Sequence, residues 1–436
     1  MIPDIAAHQA RRKELLHTLG EGVLILATAP EAIRNRDAHY PYRFDSHFYY
    51  LTAFPEPEAV AVLIAGKRPK QILFCREKNE EREIWDGYRF GPKAAKETFG
   101  FDAAYPIGEL DKRLPKLLEN QPRLAYAFGA DPAWDARVLG WVNAVRAKAR
   151  SGASAPGTLI DALALVDGQR LVKDAHEIAL MQRAADISVK AHKAAMKACK
   201  PGKGEWEIEA ELLRTFRRHG CQAPAYTSIV AGGANACVLH YISNDAPLKD
   251  GDLLLIDAAG EYHGYAADIT RTFPVNGRFS GPQKAAYEVV LEAQLAAIDA
   301  VKPGNTFNSP HEAALKVLTR GMVDLKLLKG SVDGLIESEA YKRFYMHRTG
   351  HWLGLDVHDA GEYKHQGAWM TLEPGMALTV EPGLYIRPAD DVPRALHHIG
   401  IRIEDDVVVT ATGRRVLTDA TPKTVKDIEE HMRARS

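Results

Sequence analysis

Over the first 150 residues, short apolar runs alternate with polar helical stretches. The spacing predicts a helix at 5–19 and a buried strand in "GVLILATA" (22–29). Further strands are predicted at "HFYYLTAF" (47–54), "AVAVLIAG" (59–66), "QILFC" (71–75) and "RLAYAFG" (123–129). The segment "RSGASAPGTL" (150–159) is small, Pro/Gly/Ser-rich and loop-like. The reading is therefore a smaller mixed α/β domain over 1–170 and a second, larger α/β (α+β) domain over 171–436.

Longer helical periods open the second part. One helix starts at Asp174, which can cap it together with Glu177, and stops at Pro201-Gly202. "EWEIEAELLRTFRRHG" is a second helix, ending at Gly220. The pattern then recurs: a helix closed by Lys302-Pro303-Gly304 precedes "SPHEAALKVLTRG". Each pair leads to an apolar run ending in an acid, "DGDLLLID" at Asp257 and "PGMALTVE" at Glu381, a weak signal of internal duplication.

"LLLIDAAGEYHGYAADITRTFPV" (253–275) reads as two strands around a turn. With the turn at Tyr262-His263, Asp257 and Asp268 become direct cross-strand neighbours. Like charges so placed repel, and a shared cation or a shared proton resolves the conflict. Glu404 in "IGIRIEDD" shares a strand face with Arg402. In "MHRTGHWLGLDVHDAG" (346–361), His347, His351 and His358 stand among apolar residues, a pattern that suits neither a surface loop nor a core strand. Asp257, Asp268, Glu381 and Glu404 with His351 form an oxygen-rich ligand set with one nitrogen. Its four negative charges are cancelled by two divalent cations, most simply Mn(II), with Co(II), Mg(II), Zn(II) or Fe(II) as alternatives.

Composition narrows the field. The 436 residues carry a formal net charge of −1, which gives no electrostatic case for nucleic acid or an anionic membrane. The four cysteines are scattered and form no C-x-x-C pair, which excludes a Cys-rich zinc site and fits a reducing compartment. No early apolar stretch approaches the ~18 residues that span a bilayer, so a cytoplasmic protein is expected.

In that order, "LLLIDAAGEYHGYAADITRTFPV", "HRTGHWLGLDVHD", "LTVEPGLYI" and "IGIRIEDD" resemble the pita-bread metallopeptidases, and within them aminopeptidase P, the Xaa-Pro aminopeptidases. "SHFYYLTAFPEPEAVAVLI" is similar to that group's N-terminal domain. The resemblance implies a pita-bread catalytic domain that uses metal-activated water to release the first residue of Xaa-Pro-Yaa peptides. It implies Asp257, Asp268, His351, Glu381 and Glu404 as ligands of two ions, with Asp268 and Glu404 bridging. It places His240 and His358 at the substrate and the developing oxyanion, with Glu381 as proton carrier. His347 and Arg402 match substrate-pocket positions, and Tyr226 and Trp352 are expected as a wall for the proline ring. Asp356 and Asp359 are expected to orient histidines, or Asp359 to serve a turn. Trp85 resembles an aromatic that reaches a neighbouring subunit, so a homodimer or homotetramer is expected. A proline dipeptidase would need a cation for the dipeptide carboxylate, with Arg387 and Arg394 as candidates. A non-catalytic binding module would have lost ligands, and none is lost.

Overall fold

The computed structural model describes residues 4–434. Two compact units divide the chain, Met1–Arg170 and Leu171–Ser436.

The first unit is built on a mixed sheet of β1 (Gly22–Ala27), β2 (Val60–Ala65), β3 (Lys70–Cys75), β4 (Ala103–Pro106), β5 (Arg123–Tyr126) and β6 (Thr158–Asp161). Their order is β4-β3-β2-β1-β5-β6. Helix α1 (Ile5–Leu19) packs against β2. The expected strand over 47–54 is instead a helix, α2 (Ser46–Thr52). Asp45 caps it by accepting the N–H of Phe48 at 2.8 Å, and Phe48, Tyr49, Tyr50 and Leu51 are all buried. A cap and burial on every side outweigh the strand preference of aromatic residues. Helix α3 (Glu80–Asp86) has no buried residue. Leu110, Leu114 and Leu118 of α4 (Leu110–Leu118), and Val138, Trp141 and Val145 of α5 (Pro132–Arg146), share one core with alternate residues of the central strands. The strands are buried on both faces, so their sequences read as continuous apolar runs.

The second unit begins with α6 (Ala175–Ala198), opened by the capping box of Asp174 and Glu177, followed by α7 (Glu205–Arg218). They lead to the antiparallel sheet of β7 (Ile229–Gly232), β8 (Leu253–Asp257) and β9 (Thr270–Pro274), with β8 central. Helices α8 (Gly281–Ala300) and α9 (Ser309–Asp324) then lead to β10 (Ala377–Val380), β11 (Gly383–Ile386), β12 (Ile399–Arg402), β13 (Asp405–Thr410) and β14 (Gly413–Val416). Here β10, β13 and β14 form a sheet, and β11 pairs with β12. The order of two helices followed by a three-stranded antiparallel sheet thus occurs twice.

The β8–β9 register differs from expectation. The turn lies at His263-Gly264, with φ of 50° and 84°, and Tyr262 bridges Tyr265. Asp257 therefore faces Thr270, not Asp268. Two-residue hairpin turns with both central residues at positive φ favour glycine, and only the observed register puts Gly264 there. Residues 346–361 form no strand, and only Trp352 bridges to Leu378 of β10. Gly350 permits this approach, since a Cβ there would lie 2.1 Å from the Thr379 carbonyl oxygen. Among the described residues no helix is long and apolar enough to cross a membrane.

Candidate active site

The acids sit where strands stop. Asp257 ends β8, Glu381 follows β10, and Glu404 separates β12 from β13. The fourth, Asp268, precedes β9, and its N–H is shared between the two carboxylate oxygens of Asp406 at 3.1 Å each. All four line one cavity of about 920 Å³, together with His240, His347, His351, His358, Tyr226 and Arg402.

Asp257 and Asp268 are brought together without being register partners. The Tyr226 hydroxyl donates to Asp257 at 2.6 Å and lies within bonding distance of Asp268 as well. Burial and both carboxylates push the Tyr226 phenol well above its ordinary value, so it remains a donor. Asp257 also accepts from Arg402 Nη2 at 2.6 Å. Arg402 Nε reaches Thr270 Oγ1 at 3.1 Å, and Thr270 Oγ1 donates to Glu404 at 2.6 Å. One threonine, opposite Asp257 in the ladder, thus links the arginine to a second acid.

Ligand-type atoms of Asp268, His351 and Glu404 lie within 4.8 Å of one another. His351 Nδ1 faces the Trp352 carbonyl at 2.9 Å, which turns Nε2 toward Asp268 at 3.4 Å and Glu381 at 3.7 Å. Burial and neighbouring carboxylates raise the acids: Asp268 and Glu404 upward, Glu381 to about 7. Burial alone would lower His351, but Asp268 and Glu381 lift it to about 9. This cluster can hold a metal ion. Its buried carboxylates demand positive charge, and oxygen donors with one imidazole suit a hard or borderline dication.

Three more histidines line the cavity. His347 Nδ1 lies 2.7 Å from the Arg348 carbonyl, so it carries the proton, and Nε2 accepts from the Tyr385 hydroxyl at 2.8 Å. Arg402 Nη1 donates to that same hydroxyl at 3.0 Å, completing a chain from arginine to imidazole. Burial and Arg402 hold His347 down at about 3. The His358 ring meets that of His351 edge-on at 4.4 Å, and burial with His351 lowers it too. His240 is exposed at the cavity wall.

Several expectations do not hold. Trp352 is fully buried, packed with Phe307 and Tyr363, and does not line the cavity, whereas Phe307, Tyr363 and Trp369 do. Of the two roles expected for Asp359, the turn is the one seen: it accepts the Asp356 N–H at 3.2 Å and pairs with Lys173 at 2.8 Å. Neither Arg387 nor Arg394 lines the cavity, and Arg387 donates to the Cys237 carbonyl at 3.0 Å. The sequence reading missed Thr270, Tyr385 and Asp406. Tyr385, four residues after Glu381 on the β11 strand that pairs with β12, was the most accessible of them.

Fold and site together define a metal-dependent hydrolase. Residues 179–411 match Metallopeptidase family M24, and residues 8–126 match the Aminopeptidase P, N-terminal domain. A Xaa-Pro aminopeptidase of Haemophilus influenzae is 43% identical over 99% of this chain and 98% of its own length. The solved structure of Pseudomonas aeruginosa aminopeptidase PepP is 53% identical, with a TM-score of 0.98 over 100% of this chain and 99% of that one. A zinc-substituted Escherichia coli aminopeptidase P with bound product is 42% identical, with a TM-score of 0.96 over 99% of both chains. The chain belongs to the aminopeptidase P group of metallopeptidase family M24, with the pita-bread catalytic fold.

Proposed function

We propose that this chain releases the N-terminal residue from peptides with proline in second position, using two divalent ions, Mn(II) foremost. The observation that carries the reading is the convergence of four carboxylates and His351 on one cavity also lined by His240, His347 and His358. Asp257, Asp268, His351, Glu381 and Glu404 would hold the ions. When bound, such ions polarise a carbonyl and make water acidic near neutral pH.

The chain's own groups supply the rest. Glu381, a carboxylate beside Asp268 and His351 on the cavity lining, is placed to take a proton from the attacking water and deliver it to the departing proline nitrogen. His358 and His240 present imidazole N–H groups to the oxygen on which negative charge develops. Tyr226 and Arg402 fix the Asp257 and Asp268 carboxylates, leaving fewer orientations to be ordered during reaction. His347, locked between Tyr385 and its neighbouring carbonyl, forms a rigid uncharged wall beside the rigid proline ring. Its neutrality keeps a second positive charge away from the substrate amine.

Manganese-loaded protein should cut Ala-Pro-Ala readily, Ala-Pro more slowly and Ala-Ala-Ala hardly at all. Rapid cleavage of Ala-Pro with Ala-Pro-Ala untouched would transfer the reading to a dipeptidase. Self-association to a dimer or tetramer is supported by α3, where Ile84 and Trp85 are 81% and 80% exposed and Tyr88 follows at 63%. Four free, buried cysteines fit a cytoplasmic location.

A further inference from the structure

Arginines and acids are not evenly matched around the cavity. Arg402 is paired with Asp257 at 2.6 Å. Arg348, the other arginine on the lining, has no such partner: among the described residues it makes no ion pair, and its Nη2 donates instead to the amide oxygen of Asn308. Asn308 in turn donates to Glu312 at 2.8 Å, so an amide stands between Arg348 and that carboxylate. The Arg348 guanidinium lies 4.7 Å from the ring centroid of Trp369, which also lines the cavity. Lys364 Nζ lies 4.2 Å from the centroid of the same ring, again with no ion pair among the described residues.

Two cations gathered on one indole repel each other, and the face of an aromatic ring offsets only part of that cost. What this place lacks is an anion. Asn308 and Trp369 already hold Arg348 in position, so little further ordering is needed to bind one. Its remaining N–H groups can meet a carboxylate in a fork, with the Lys364 ammonium as a second point charge. We propose that Arg348, Lys364 and Trp369 form a carboxylate subsite for the part of the peptide beyond proline. This rests on the peptidase reading above and adds a charge preference to it. Either an acidic side chain or the free α-carboxylate of a short peptide supplies the group.

The test uses C-terminally amidated peptides on manganese-loaded protein. Ala-Pro-Glu-amide is compared with Ala-Pro-Lys-amide, and the Glu/Lys pair is then moved to the fourth and fifth residues. At one or more positions the glutamate peptide should have kcat/KM about five- to tenfold above its lysine counterpart. Arg348→Glu combined with Lys364→Glu should invert that ratio. Ala-Pro-Ala against Ala-Pro-Ala-amide separates the two sources of carboxylate, since only a terminal-carboxylate site loses rate on amidation. A ratio within twofold of one at every position, unmoved by the double variant, together with no loss of rate on amidating Ala-Pro-Ala, overturns the subsite while Ala-Pro-Ala cleavage leaves the peptidase reading standing. Calorimetric binding of the same peptides to Asp268→Asn protein gives a second readout. A charge preference in binding with no hydrolysis by the native protein would keep the subsite and remove the peptidase reading. Equal binding of all peptides would overturn the subsite.

Discussion

Replacing Asp405 with asparagine tests whether the acids are held from behind by a buried ionic support. Asp405 is 0% exposed and accepts from Arg271 at 2.7 Å, Gln294 at 2.7 Å, Thr418 at 2.7 Å and Lys423 at 2.9 Å. Arg271 in turn donates to the Glu404 carbonyl at 2.6 Å and the Thr270 carbonyl at 2.9 Å. Burial alone would raise the Asp405 carboxyl, but Arg271 and Lys423 bring it down from 3.8 to about 2. At about 1.4 kcal/mol per pH unit, that difference is worth about 2 kcal/mol. The folded-state value is the lower one, so this stability is fully present above pH 3.8 and is lost as the pH falls through about 2. Asparagine also leaves Arg271 without its counter-charge, which places the total loss at about 3–5 kcal/mol at pH 7. Urea unfolding of both proteins with a chelator present measures it free of metal linkage. Repeating the comparison at pH 3 should narrow the gap by about 1 kcal/mol. A loss below about 1 kcal/mol at pH 7, with no narrowing at pH 3, would refute the reasoning.

Three further outcomes are expected. Asp268→Asn should lower kcat/KM by several orders of magnitude, while differential scanning calorimetry finds the metal-free variant as stable as the native protein or more so, because like-charge repulsion is relieved; near-normal turnover would make Asp268 an ordinary structural residue. Glu381 is raised in the folded state to about 7, so its protonated form favours folding and metal-free protein should lose about 3 kcal/mol as the pH rises from 4.5 through 7. Glu381→Gln should flatten that part of the pH profile of thermal unfolding, and an unchanged slope would count against the assignment. Elemental analysis of fully loaded protein should find about two transition-metal ions per chain, with activity lost to chelator and restored by Mn²⁺; chelator-resistant turnover without metal contradicts the ligand set.

Much of the fold was legible because the signals were local. The capping box at Asp174 and Glu177 and the apolar runs of β1, β2 and β3 carry their own instructions. The gathering of acids was legible because Asp257 and Glu381 close apolar runs and Asp268 and Glu404 adjoin others, where solvent is an unsuitable neighbour. Less local features were hidden. The helix at 46–52 depends on burial from several directions, which no short window reports. The hairpin register turned on which residue pair takes positive φ, and the reading placed it one residue early. Trp352 went to the core while Trp369, from a separate hairpin, took the wall, a choice made by packing against Phe307 rather than by either residue's neighbours in sequence. Thr270, Tyr385 and Asp406 look ordinary until the strands that carry them are paired.

The Arg271 anchor also ties the site to a segment far along the chain. One guanidinium holds the carbonyls of Thr270, Glu404 and Pro422, the last at 3.1 Å, and its acid partner is held in turn by Lys423. A chain emerging vectorially from the ribosome can complete the first unit's sheet once Thr158–Asp161 is free. The second unit gains no such early success. Its central carboxylates stay without their full support until Pro422 and Lys423, close to the end of the described chain, have joined the fold.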